Sequence, residues 1–147
     1  MKGLVCKVCG YVALDGNEDL CPVCQLKNVF EKKEDAYRAF DFKATSGETE
    51  KKHIPHFTIV QKCGLTPQSC DGVGVHIKIG EILHPSTPEH YIDTITFYVD
   101  NKLVSNVMLT ADACPVAAIH LKNDVKCKVQ VIENCNVHGR WFNEIEK

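Results

Sequence analysis

The sequence predicts a mainly β protein: a small cysteine-knuckle metal module followed by an antiparallel β-sandwich. Three observations carry this reading. Two Cys-x-x-Cys pairs, Cys6–Cys9 and Cys21–Cys24, sit within residues 1–30, which show almost no periodic apolar pattern. After residue 53, short apolar runs alternate with polar residues at the two-residue period of half-buried strands. Turn residues separate these runs at short intervals, as in a sandwich.

The first module is too small to bury a core without a staple. A polar, turn-rich stretch, Asp15-Gly16-Asn17-Glu18-Asp19, joins its two cysteine pairs. Each Cys-x-x-Cys turn aims two sulfurs at one point, and two facing turns make a tetrahedral four-sulfur site from Cys6, Cys9, Cys21 and Cys24. Zinc and iron both suit that geometry. Zinc would make the module a structural staple; iron would make it a one-electron relay.

Residues 31–43 read as a short helix or connecting arm, with Tyr37 and Phe40 spaced to dock on a neighbour. The small, polar stretch from Ala44 to Thr49 marks a boundary. The expected organisation is a metal module over 1–34, a linker or short helix over 35–48, and a sandwich over 49–147. Strands are expected at His56–Lys62, Val73–Ile79, Ile92–Val99, Val104–Leu109, Val116–Leu121 and Val125–Ile132.

Bulk properties narrow the function. The 147 residues are 44% hydrophobic and 24% charged, values of a soluble globular protein. A net charge of −2 argues against nucleic-acid binding, and no apolar run is long enough for a membrane span. Met1 leads straight to Cys6 without an apolar signal core, so a cytoplasmic location is expected. In a reducing compartment, nine cysteines favour metal ligation over disulfides.

A second constellation combines histidines with one cysteine. His84-Pro85-Ser86-Thr87-Pro88-Glu89-His90 places two imidazoles on one proline-stiffened loop. Cys135 and His138 lie three residues apart, a usual spacing for two ligands of one metal. His53 stands just after the boundary. Together they offer up to four imidazoles and one thiolate, if the fold brings them together.

These stretches resemble a known family. Lys52-His53-Ile54-Pro55, the run from Gly80 through His90 to Ile92, and Cys135-Asn136-Val137-His138-Gly139-Arg140-Trp141 are similar in order and spacing to the superoxide reductases, desulfoferrodoxin and neelaredoxin. Cys6-Lys7-Val8-Cys9-Gly10-Tyr11 and Cys21-Pro22-Val23-Cys24 resemble the rubredoxin-like modules of rubrerythrins, and zinc ribbons share much of that pattern.

The resemblance implies an immunoglobulin-like sandwich carrying a catalytic iron on loops at one end. His53, His84, His90 and His138 would be its equatorial ligands and Cys135 its axial thiolate, with one position left open. It implies one-electron reduction of superoxide to hydrogen peroxide, with Lys52 assisting substrate and product. It also implies a homodimer or homotetramer, fed by an electron donor such as a rubredoxin or its reductase.

Two departures stand out. The family's iron-capping glutamate falls at Lys51 here, with Glu50 one residue further back. Either Glu50 reaches the iron through a bulged loop, or water or another anion takes that place. A tryptophan common after the second histidine motif is absent, with Thr94 near its position.

Simpler readings cover the rest. His56, His76 and His120 are expected to be ordinary surface or core residues, His76 pointing to solvent. Cys63, Cys70, Cys114 and Cys127 lack ligand spacing and are expected to be free buried thiols, although Cys63 and Cys70 could pair. The competing function is a non-enzymatic iron-binding or electron-carrier protein; a zinc-stapled interaction module leaves the His/Cys set unexplained.

Overall fold

The computed structural model describes residues 1–39, 47–62, 65, 72–122 and 124–147. In chain order the elements are β1 (Gly3–Cys6), β2 (Val12–Ala13), β3 (Phe30–Lys33), β4 (Arg38–Ala39), α1 (Glu48–His53), β5 (Pro55–Gln61), β6 (Gly72–Ile79), β7 (Ile92–Val99), β8 (Lys102–Met108), β9 (Val116–Lys122), β10 (Lys128–Cys135) and β11 (Gly139–Glu146). The fold is mainly β, as its alternating sequence requires. No helix among the described residues is long and apolar enough to cross a membrane.

The first three strands form a small antiparallel sheet, order β2-β1-β3. The rest build a sandwich in which a five-stranded sheet, β4-β11-β10-β7-β8, packs on a three-stranded one, β5-β6-β9. Alternation fills the space between them. Val75, Ile77 and Ile79 of β6 and Ile119 of β9 meet Ile95 and Phe97 of β7 and Val129 and Val131 of β10.

The opposite face of β7 and β10 is buried too. Tyr98 and Ile132 join Val5, Tyr11, Val12 and Ala36 in a second apolar cluster, so the cysteine module lies against the outer face of the larger sheet. Tyr11 stacks on Tyr98 at 5.9 Å between ring centroids, and the Tyr98 hydroxyl donates to the Val12 carbonyl at 2.7 Å. This explains why Ile92–Val99 is apolar at outward as well as inward positions. The module thus gains a core from the body as well as from its cysteines.

Three expectations need correction. Of the helix or connecting arm expected over 31–43, the described residues 31–39 form the arm and contain no helix: Glu31–Lys33 continue the ladder opposite β1, and Arg38–Ala39 pair with β11 in parallel, Arg38 opposite Trp141. Tyr37 does dock, against Phe142 at 5.2 Å; Phe40 lies outside the described residues. The helix comes later, where Glu48 and Glu50 in the first turn and Lys51, Lys52 and His53 in the last turn suit the helix dipole. Secondly, β11 was not anticipated, although Trp141, Asn143 and Ile145 alternate along it. Thirdly, Cys114 is exposed, not buried, whereas Cys127 is buried. Cys63 and Cys70 lie outside the described residues. His76 is half-buried on the outer face of the smaller sheet, with the His120 ring 6.4 Å away.

Candidate metal centres

The two knuckles are built alike. Gly10 N–H donates to the Cys6 carbonyl at 3.0 Å, and Gln25 N–H to the Cys21 carbonyl at 2.9 Å. The residue after each pair takes a positive φ, 80° at Gly10 and 64° at Gln25. The turns thereby direct all four sulfurs inward, within 4.8 Å of one another. Cys6 and Cys24 sulfurs are 3.7 Å apart, and those of Cys9 and Cys21 are 3.5 Å apart. A tetrahedral ion with bonds of about 2.3 Å sets its sulfurs about 3.8 Å apart, so the residues fit such an ion.

Electrostatics agree with that fit. Burial pushes the Cys9 thiol up to about 12, and the neighbouring Cys21 and Cys6 sulfurs push the same way. Burial acts on Cys6 too, but the N–H groups of Cys9 and Val8 outweigh it and hold that thiol at about 7. A cation among the sulfurs would favour their ionised form.

The second centre gathers residues from three parts of the chain. His53 ends α1, His84 and His90 lie on the loop between β6 and β7, and Cys135 and His138 flank the β10–β11 turn. Gly80, at φ +90°, starts the loop. Its N–H donates to the Ile54 carbonyl at 3.0 Å, and Glu81 N–H to the Lys51 carbonyl at 2.7 Å, docking the loop on the end of α1.

Asn136 ties the loop's other end. Its side chain accepts from Tyr91 N–H at 2.9 Å and donates to the Glu89 carbonyl at 3.1 Å. Its own N–H donates to the Tyr91 carbonyl at 3.1 Å. His90 is therefore fixed relative to Cys135.

The four imidazoles close a ring. Centroid distances are 4.7 Å from His53 to His84, 4.5 Å from His84 to His90, 5.0 Å from His90 to His138 and 4.8 Å from His138 to His53. Neighbouring planes lie 66° to 80° apart, while the His53–His90 diagonal spans 6.2 Å at only 32°. The His84 ring thus stands between those of His53 and His90, while its ligand atoms fall outside the tightest donor group. His53, His90, His138 and Cys135 offer ligand atoms within 4.8 Å of one another, and the Cys135 sulfur lies 3.8 Å from His138 Nδ1.

The tautomers are set by the backbone. His53 Nδ1–H donates to the Thr49 carbonyl at 2.6 Å, and His84 Nδ1–H to the Pro85 carbonyl at 2.7 Å. Their Nε2 atoms, with that of His90, are buried without hydrogen-bond partners. Buried lone pairs left unsatisfied are costly unless something accepts them, and a metal does. Trp141 stacks on His53 at 5.0 Å, and the Arg38 guanidinium covers the Trp141 ring at 5.0 Å. Glu133, fully buried two residues before Cys135, is held well above the usual carboxylate range by burial and by Asp93.

Burial depresses His84 to about 4, against the lift from its Pro85 bond, and lowers His53 and His90 in the same direction. A histidine with a folded value below its unfolded one stabilises the fold fully above about 6.5 and loses that contribution as pH falls toward about 4. For metal-free protein, we predict a stability drop of about 2 kcal/mol or more between pH 7 and pH 4.5. Urea midpoints that do not move over this range would contradict it.

Sequence spacing singled out eight of these nine side chains, and His53 was expected from the family resemblance. Spacing could not locate Asn136, Trp141, Glu133 or the carbonyls of Thr49 and Pro85, because their roles depend on strand register and backbone direction. Lys52 is half-buried at the end of α1 and pairs with Glu48 at 3.5 Å; its charge is felt at His90. Glu50 carries its carboxylate over Gly47, where an added Cβ would meet it at 2.8 Å.

A family model described as desulfoferrodoxin matches residues 45–144. The superoxide reductase of Pyrococcus horikoshii is 36% identical over 106 residues, covering 65% of this chain and 86% of the relative. The desulfoferrodoxin of Desulfarculus baarsii is 29% identical over 143 residues, covering 95% of this chain and 92% of the relative, so that likeness reaches the cysteine module. A crystal structure of superoxide reductase in the oxidized state aligns with a TM-score of 0.55 at 27% identity, over 75% of this chain and 94% of that one. The family model, these relatives and the shared sandwich lead to one conclusion: the chain belongs to the desulfoferrodoxin family, the family of the superoxide reductases.

Proposed function

We propose that this protein is a superoxide reductase whose reaction centre is held by His53, His84, His90, His138 and Cys135. The observation that carries the reading is the closed imidazole ring with inward, unpartnered Nε2 atoms beside a buried thiol. An iron(II) ion there would supply the one electron that, with two protons, converts superoxide to hydrogen peroxide.

The chain's own residues prepare that chemistry. The carbonyls of Thr49 and Pro85 hold the His53 and His84 protons on Nδ1 and keep Nε2 free. Burial raises the Cys135 thiol, against the N–H groups of His138 and Val137, so its proton leaves only as a cation arrives. Cys135 is buried while His138 is exposed, which leaves access on the imidazole side. Lys52 lies there as a positive lure for a small anion. Glu50 carries its carboxylate over Gly47, at the start of α1 and away from His53 at its end. Water or another anion is the better candidate for the oxidised state.

The module over 1–34 acts, in this reading, as an iron relay joined by 35–48 to the body over 49–147. Val8 and Leu26 are 60% and 46% exposed beside its cysteines, an apolar rim suited to a small electron-carrier protein such as a rubredoxin or its reductase.

The test is anaerobic metal analysis followed by pulsed superoxide on the reduced protein. Two irons per chain and rapid oxidation of the His/Cys centre support the enzyme with its relay. One iron and one zinc with the same oxidation keep the enzyme and make the module structural. Failure to react with superoxide leaves an iron-binding or carrier protein. Lys52→Ala should slow that reaction several-fold and flatten its salt dependence; an unchanged rate and salt slope would remove Lys52 from steering.

A further inference from the structure

We propose that Arg140 is the electron bridge between the two metal centres, an inference that rests on the relay reading above. Its guanidinium Nε–H donates to the Gly10 carbonyl at 3.1 Å, and Nη1–H to the Ala36 carbonyl at 3.4 Å. Gly10 follows Cys9 directly, and Arg140 stands two residues after His138. One side chain therefore connects the residue beside a sulfur of the first centre to the strand that leaves an imidazole of the second.

Other links across the seam do not have this property. The Tyr98 hydroxyl reaches Val12, which is not beside a cysteine, and Tyr98 lies far along β7 from the histidine loop. The Arg38 guanidinium reaches His53 through Trp141, but Arg38 starts from the arm and not from a knuckle. Among the described residues whose side chains hydrogen-bond across the seam, Arg140 has both ends next to candidate ligands.

The local structure is built around this contact. Gly10 has φ +80°, and a Cβ there would come within 3.2 Å of Arg140 Nη2, so the knuckle leaves room for the guanidinium. A small cavity of about 30 Å³, room for one water, adjoins the contact and is lined by Cys9, Gly10, Tyr98, Asn134 and Arg140. Charge works with geometry. A guanidinium beside a four-thiolate centre, donating to its knuckle, stabilises the more negative, reduced ion and raises its potential.

The electron count closes: an iron held by the His/Cys set would give one electron to superoxide, which with two protons becomes hydrogen peroxide, an iron held by the four thiolates would return one electron, and an external one-electron donor would restore the relay.

The experiment compares Arg140→Met, Arg140→Lys and Tyr98→Phe in the full-length, two-iron protein. Tyr98→Phe removes another hydrogen bond of the seam and serves as the control for docking. After a superoxide pulse on fully reduced protein, two absorbances are followed: oxidation of the His/Cys iron, then appearance of the oxidised four-thiolate iron. The four-thiolate potential is titrated separately.

We expect Arg140→Met to slow the second phase several-fold and lower the potential. Arg140→Lys should restore the potential but not the rate, and Tyr98→Phe should change neither. Equal slowing by Met and Phe variants would reduce Arg140 to a docking contact and overturn the bridge. So would an unaltered second phase in Arg140→Met, or a defect confined to the first phase. A wild-type four-thiolate iron that stays reduced after the pulse would overturn the relay reading itself, and the bridge with it.

Discussion

Cys135→Ser is expected to abolish the thiolate-to-iron charge-transfer band and most of the iron at the His/Cys centre. Cys135 is only 2% exposed, and its sulfur accepts from His138 N–H at 3.4 Å. A serine hydroxyl at that place does not ionise near neutral pH, so a bound cation would lose its one anionic partner in a buried site. Outer partners of metal ligands alone typically cost about 10–100-fold in affinity when removed, and loss of the thiolate should cost more. The four-cysteine centre supplies an internal control, since its own spectrum should persist. Measurement is by metal analysis and visible spectroscopy of the oxidised protein. An unchanged spectrum would remove Cys135 from the centre.

Gly80→Ala is expected to destabilise the body by about 3 kcal/mol or more and to empty the same centre. An added Cβ would lie 2.2 Å from the Ile82 carbonyl oxygen and 2.7 Å from that of Lys52. Both are backbone atoms, so no side chain can swing aside, and φ +90° is itself costly for alanine. Lys52 precedes His53, and Ile82 lies two residues before His84, so relief of the overlap must separate those two rings. Thermal unfolding and iron content report the two effects. A wild-type melting temperature with full iron would show that the turn repacks freely.

Much of this was readable in advance where information is local. Cys-x-x-Cys repeats, a histidine pair on one loop and the Cys135–His138 spacing are short-range patterns, and they named eight of the nine side chains of the two clusters, with His53 expected from the family resemblance alone. Strand alternation marked six of the seven longer strands. What escaped depends on long-range packing. Residues 31–39 carry charges that suit a helix, but pairing of β3 with β1 overrides that propensity. Tyr98 and Ile132 look misplaced until the cysteine module covers them. Gln25 adopts a positive φ with no glycine to announce it. Asn136 acts through its partners' backbone, which no spacing rule encodes.

The two centres also differ in when they can form. All four sulfurs of the first come from residues 6–24, joined by turns that need nothing later in the chain to curl. The second draws on positions from 53 to 138 and exists only after β10 has paired with both β7 and β11. Local loops close cheaply and early, whereas distant pairings wait for most of the fold. During synthesis, the first site can capture its ion while the body is still being made. The second can accept iron only in a finished sandwich, so its occupancy records successful folding of the body.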